Sequence, residues 1–178
     1  MNEADTRAEL IDPQLKDAGW ITGGDVLVQR EYNINAVEIK AGGIRAGQLK
    51  ADYVLSYRNR KLAVVEAKSD ELEVGEGVAQ AKIYAQKLDL KFAYSANGRE
   101  IYQIDMNVSE GDVQSFPSPE ELWKKTFGDS NEWQDNFDAV PFEDQNGAKQ
   151  PRYYQELAVN KAMEAIAAGK DRILLNLA

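Results

Sequence analysis

Two stretches of this chain are apolar enough for buried strands, yet each carries charge that such strands normally exclude. Leu49-Lys50-Ala51-Asp52-Tyr53-Val54-Leu55-Ser56-Tyr57 is followed by a basic turn and then by Lys61-Leu62-Ala63-Val64-Val65-Glu66-Ala67-Lys68. Both flanks read as strands, and the polar break between them predicts a β-hairpin. Closed around Arg58-Asn59-Arg60, that hairpin sets Asp52 directly opposite Glu66, with Cβ atoms roughly 4.5–5.5 Å apart. Two carboxylates that close repel each other unless a cation lies between them or one is protonated. Side chains at i and i+2 share a strand face, so Lys68 points the same way as Glu66. The same register opposes Lys50 to Lys68, an unfavourable pair, and a bulge near Lys50 or Ala51 would relieve it.

The rest of the composition narrows what this constellation can do. The 178 residues include no cysteine and no histidine. Disulfides, thiolate or imidazole metal sites and Ser-His-Asp triads are therefore excluded. Catalysis would have to run on carboxylates, lysine, tyrosine and a metal. Hard oxygen ligands suit Mg²⁺, which takes one or two carboxylates and fills its shell with waters and phosphate oxygens. The formal net charge of −9 argues against tight nucleic-acid binding by this chain alone, since phosphate neutralisation supplies most of such affinity. A local positive cleft, or delivery of DNA by a partner, is compatible with it. No signal peptide or apolar span is apparent, so no membrane association is expected and a cytoplasmic location is the default.

Along the chain, residues 3–18 predict a first helix, with Ala8, Leu10, Ile11, Leu15 and Ala18 as its stripe and Pro13 as a point of strain. Val26 to Tyr32 alternates like a strand, and Ala41 to Gly47 reads as a flexible loop. A helix is expected at about 76–89. Strands at Lys91–Ser95 and Glu100–Asp105 follow, joined by Asn97-Gly98, a hairpin signal. The predicted order is helix, three strands, helix, two strands. Residues 107–151 read as a linker or irregular arm, with a short helix capped by Ser118 and running to about Phe127. A last helix is expected from about Arg152 to Ala168, then a buried strand from Ile173 to Ala178.

Asp52 followed by Glu66-Ala67-Lys68 fits the PD-(D/E)xK nuclease signature, and Gln80-Ala81-Lys82-Ile83-Tyr84 resembles the Gln-x-x-x-Tyr motif of RecB-like nucleases and of type I restriction endonuclease R subunits. The opening Asn2-Glu3-Ala4-Asp5-Thr6-Arg7, Leu10-Ile11-Asp12-Pro13-Gln14-Leu15 and Ala18-Gly19-Trp20 also looks like the start of an R subunit. The resemblance implies an α/β fold: a restriction-endonuclease-like core with a central mixed β-sheet flanked by helices, plus a C-terminal helical extension. It implies a nuclease core at 1–106, the arm at 107–151, and the truncated start of a helicase-like motor at 152–178. Arg152-Tyr153-Tyr154-Gln155 is similar to the adenine-recognition element before the P-loop of superfamily 2 motors. No Gly-x-Gly-Lys-Thr follows, so ATP is expected only in a longer subunit.

By that resemblance Asp52, Glu66 and the Ala67 carbonyl bind Mg²⁺, and Lys68 orients or stabilises the attacking hydroxide. Gln80 and Tyr84, at i and i+4, share a helix face and would stand beside the scissile phosphate. Glu9 is a candidate for the acid that the first helix of this fold often aims at the metal, and reads equally well as an exposed helical acid. Arg152 and Gln155 would read adenine in the full motor. The implied partners are double-stranded DNA and the modification (HsdM) and specificity (HsdS) subunits. The rival readings are a RecB-like repair nuclease and a non-catalytic docking module on a degenerate nuclease fold. Asp70, Glu71 and Glu73 read as a solvated acidic loop, and Arg58, Arg60 and Lys61 as charges that keep a turn soluble. Trp123 and Trp133 read as packing residues before base-stacking ones.

Overall fold

The hairpin at the centre of the sequence becomes the centre of a six-stranded mixed sheet in the computed structural model, which describes residues 1–40, 43–128, 136 and 153–175. The strands are β1 (Val26–Lys40), β2 (Gly43–Tyr57), β3 (Arg60–Ala67), β4 (Phe92–Ala96), β5 (Ile101–Asp105) and β6 (Glu110–Val113), in that spatial order. Every neighbouring pair is antiparallel except β3 and β4, which run parallel. A parallel pair needs a crossover, and helix α3 (Val78–Leu88), entered through a 3₁₀ turn at Val74–Gly77, supplies it.

The predicted hairpin register holds over Tyr53–Val65, Val54–Val64 and Leu55–Ala63. Nearer the turn it shifts, with Ser56 opposite Lys61 and Tyr57 opposite Arg60. The turn is therefore two residues, not three: Arg58 and Asn59 both have positive φ, 50° and 59°, the backbone of the twisted turns that match paired strands. Leu62 becomes the extra residue of a bulge, so the irregularity lies at the turn end of β3 and not near Lys50 or Ala51. The Lys50–Lys68 opposition does not arise. Lys50 pairs with Asn33 of β1, while the Lys68 backbone N–H turns to the Ala96 carbonyl at 2.8 Å.

Residues 3–17 are helical as expected, but in three pieces: α1 (Glu3–Thr6), a π-helical turn (Arg7–Ile11) and α2 (Asp12–Asp17). Pro13 explains the break. It lacks an N–H for the regular ladder, and the wider turn before it lets the Asp12 N–H reach back to the Arg7 carbonyl.

Alternation along the strands splits the core into two faces. Tyr53, Leu55, Ala63, Val65, Ala67, Phe92, Tyr94 and Ala96 face the first helix, where Ile11 and Leu15 meet them. Val54, Val64, Ala93 and Ile104 face α3, where Ala81, Tyr84, Ala85 and Leu88 meet them. The buried helical positions recur at the three- and four-residue spacing of an amphipathic helix.

Three expectations need correction. The stretch 43–47, read as loop, belongs to β2, because pairing with β1 continues out to Lys40–Gly43; Ala41 and Gly42 lie outside the described residues. The arm 107–151 is not wholly irregular. It supplies β6 to the sheet edge and α4 (Pro119–Phe127), whose Leu122 and Trp123 are buried with Phe116 against the first face. Ser118 caps the start of α4 as expected, and Glu121 completes a capping box with it. After α5 (Tyr153–Ala167), Ile173, Leu174 and Leu175 form no strand, and Leu174 is 92% exposed. A strand requires a neighbour for its N–H and C=O groups, and none of the six described strands pairs with this segment. Residues 176–178 and Trp133 lie outside the described residues.

Candidate active site

Val54 and Val64 face α3, and two-residue alternation from them presents Asp52, Glu66 and Lys68 on that face, at one end of the sheet. The regular pairing of β2 with β3 ends at Tyr53–Val65. One step on, Asp52 Oδ2 accepts the Ala67 N–H at 2.8 Å, which ties the two acidic strand ends together through the backbone.

Glu66 is 2% exposed. Its Oε1 accepts a hydrogen bond from Lys68 Nζ at 2.7 Å, while its Oε2 is buried with no partner. Burial, reinforced by the charge of Asp52 and opposed by the Lys68 hydrogen bond, raises the Glu66 carboxyl to about 7. Burial also disfavours the Lys68 ammonium, but its hydrogen bond to Glu66 and the charges of Glu66, Glu3 and Asp52 outweigh this and hold it above the usual lysine range. A lysine so held is charged at neutral pH and can stabilise negative charge.

Gln80 and Tyr84 arrive from α3. Lys68 Nζ donates to Gln80 Oε1 at 3.4 Å, and Gln80 Nε2 donates to the Tyr84 hydroxyl at 2.6 Å. Glu66, Lys68, Gln80 and Tyr84 thus form one polar chain across a strand and a helix. Tyr84 is also 4% exposed and belongs to the apolar stripe with Ala81, Ala85 and Leu88, so its ring is core and its hydroxyl is site. Burial raises its phenol above the ordinary value. The i, i+4 spacing that places Tyr84 beside Gln80 does not by itself show this double role.

Some candidates stand elsewhere. Glu9 is exposed on the π-helical turn. The acid of the first helix whose charge acts on both Glu66 and Lys68 is Glu3, six residues earlier. Gln155 is exposed at the start of α5, and Arg152 lies outside the described residues. Asp70 is not simply solvated: it pairs with Arg99 at 2.8 Å and with the Met1 ammonium at 2.8 Å. Arg60 and Lys61 do more than keep a turn soluble. They form ion pairs with Glu164 and Glu156 of α5. Trp123 is buried against Tyr57 and Phe127, the packing role expected of it. Arg7 and Glu31 were not singled out by the sequence reading. Arg7 Nη1 donates to Asp52 Oδ1 at 3.1 Å, and its Nη2 lies 3.5 Å from Glu31. The only sequence signal for Arg7 is its place in the opening Asn2–Arg7 motif.

Among the described residues, no three or more acids, histidines or cysteines converge as a metal cage. Two carboxylates with the rest of the shell left to water and phosphate is nevertheless a normal Mg²⁺ arrangement. The orphaned, buried Glu66 Oε2 is an acceptor that a cation would satisfy, so the donor set fits the ion. No described helix is long and apolar enough to cross a membrane.

A mixed α/β sheet with two acids, a lysine and a Gln-x-x-x-Tyr pair at one end is the architecture expected of a restriction-endonuclease-like domain. The chain is a homologue of the R (HsdR) subunits of type I restriction enzymes. It is 31% identical, over its whole length, to the type I restriction enzyme EcoAI endonuclease subunit of Escherichia coli. It is 27% identical over 95% of its length to the EcoKI endonuclease subunit of Escherichia coli strain K12. It spans only 23% and 19% of those two proteins. A solved fragment described as an HsdR subunit of a type I restriction enzyme from Vibrio vulnificus YJ016 matches with a TM-score of 0.84 and 37% identity. That match covers 99% of this chain and 34% of the other. No family model matches.

Proposed function

We propose that the chain is the endonuclease portion of a type I restriction R subunit and that it hydrolyses DNA phosphodiester bonds with Mg²⁺. One observation carries the proposal: the buried, partnerless Glu66 Oε2, beside Asp52 and backed by the Lys68–Gln80–Tyr84 chain. Homology to restriction endonuclease subunits supports it. The nuclease unit takes in β6 and α4, and α5 begins the motor, in which Arg152 and Gln155 would meet adenine.

Asp52 and Glu66 would hold the ion, with the Ala67 carbonyl beside them. When bound, Mg²⁺ supplies charge neutralisation at the phosphoryl oxygens and a more acidic water. Lys68 does the work of orientation. Its ammonium, fixed between Glu66 and Gln80, lies where it can hold the attacking oxygen in line and stabilise charge that develops on the phosphate. Gln80 braces Lys68 from the helix and offers its amide to phosphate, and the Tyr84 hydroxyl fixes the Gln80 amide. The substrate is double-stranded DNA. With a net charge of −9, the chain is suited to receive DNA from partners and not to search for it. Those partners are the modification and specificity subunits, and an ATP-driven motor brings the DNA.

The test is plasmid cleavage by the complete subunit, reconstituted with its partners and Mg²⁺, comparing wild type with Glu66→Ala and Lys68→Ala. Each variant should lower cleavage by about 10²-fold or more, with ATP hydrolysis retained. Unchanged cleavage in both would end the catalytic assignment.

A further inference from the structure

Arg7 takes no part in the polar chain just described, yet it reaches the site. It stands on the π-helical turn that Pro13 forces, and turns of this kind often mark functional positions. Its guanidinium holds Asp52 Oδ1 at 3.1 Å, on the oxygen that the Ala67 N–H does not use. It is steadied from behind by Glu31, whose other oxygen accepts from Lys50 Nζ at 2.7 Å. Glu31 falls between the β1–β2 pairs Arg30–Tyr53 and Tyr32–Ala51, at the level of Asp52. Its backbone has φ of 52°, a conformation that non-glycine residues rarely adopt. The four residues Lys50, Glu31, Arg7 and Asp52 form an alternating row of charges that ends on one of the two acids proposed to bind metal.

We propose that Arg7 is the resident counter-ion of Asp52: a positioning residue that stands in for the cation before metal arrives and thereby sets the affinity for it. The inference rests on the nuclease reading of the site. Its physical basis is the repulsion of Asp52 and Glu66, which a nearby positive charge relieves. A guanidinium stays protonated at any working pH and carries five donors, so it can hold Asp52 and Glu31 together. A metal must compete with that contact for Asp52, and a fixed positive charge beside the ligand weakens its binding. The site is thereby kept poised and weakly metallated until DNA phosphate adds its own negative charge.

The experiment titrates the 178-residue chain with Mg²⁺ by calorimetry and with Mn²⁺ by electron paramagnetic resonance, without DNA. Arg7→Gln should bind either ion about tenfold more tightly, the effect of removing one partly screened unit charge beside a ligand. Arg7→Lys, which keeps the charge, should stay close to wild type. Glu31→Gln is an exposed change that leaves the fold alone. It should weaken metal binding several-fold, because Arg7 then rests on Asp52 alone and a negative charge has gone. Tighter binding in Arg7→Gln is a result that loss of a merely structural contact would not give. Glu66→Gln is the separate control for the site itself and should abolish binding. If Glu66→Gln loses metal while Arg7→Gln and Glu31→Gln bind as wild type does, or change in the opposite directions, the counter-ion proposal is overturned and the nuclease reading stands. If Glu66→Gln binds as wild type does, both are overturned.

Discussion

Replacing Glu66 by glutamine should stabilise the metal-free fold at neutral pH while removing the proposed activity, and the size of the gain can be worked from the site. The Glu66 carboxyl is raised from 4.5 to about 7 by burial in the fold. The folded chain therefore holds this proton more tightly than the unfolded chain does. The stabilisation from that proton is complete below about pH 4.5 and is lost as pH rises through about 7. A tenfold difference in proton affinity corresponds to about 1.4 kcal/mol, so wild type should lose roughly 3 kcal/mol across this window. Glutamine has the same shape and does not ionise, so the variant lacks the slope. Its Oε1 can still accept from Lys68, and its amide has the Asp52 carboxylate nearby. The attraction of Lys68 for the charged carboxylate is already contained in that net shift, so it is not subtracted again. The assay is urea unfolding of both proteins at pH 5, 6, 7 and 8 in a chelator. The difference in unfolding free energy should grow in favour of glutamine from pH 5 to about 7 and then level off. Parallel stability profiles would show that burial does not penalise the Glu66 charge, and a cation-seeking carboxylate would lose its main support.

Other perturbations separate the site from its scaffold. Tyr84→Phe keeps the buried ring and removes the hydroxyl that accepts from Gln80 at 2.6 Å; stability should fall by only about 1 kcal/mol, and cleavage by the reconstituted enzyme should fall without loss of DNA binding. Gly98→Ala should cost about 1–3 kcal/mol in urea unfolding, because Gly98 has φ of 82° and a new Cβ would meet Leu10 Cβ at 2.5 Å. Trp123→Ala should cost about 3–5 kcal/mol, since the indole is 2% exposed between Tyr57 and Phe127; a loss under about 1 kcal/mol would place α4 off the core.

The central hairpin and its two acids were legible because they conflict with their surroundings. Acids inside Val- and Ala-rich strands violate the local pattern, and such violations gather at functional sites. The register followed from the same alternation and held over Tyr53, Val54 and Leu55, where side chains are buried on both faces. It failed at Leu62, because Arg58 and Asn59 take a two-residue turn that no glycine announces. The β6 strand was hidden for a different reason. Glu110-Gly-Asp-Val is polar and lies at the sheet edge with alternate exposure, so it carries almost no hydrophobic signal. The exposed Ile173-Leu174-Leu175 shows the converse, since apolar sequence makes a strand only where another strand receives its backbone.

Arg7 and Glu31 mark where sequence reading stops. Each is an ordinary surface-type residue in its own segment, 24 positions apart. Nothing in helix or strand periodicity says that they meet. Their meeting depends on the π-helical turn before Pro13 and on the left-handed backbone of Glu31, two local irregularities on different elements. The proposed ligands of a metal can be read from strand alternation because they lie on paired strands. The charges proposed to tune them reach them through irregular backbone, which only the folded chain specifies. A variant that changes Arg7 or Glu31 without touching Asp52 or Glu66 should thus alter metal affinity from outside the nuclease signature. A search for that signature would rank both residues as neutral, whereas the counter-ion proposal gives their substitutions opposite signs.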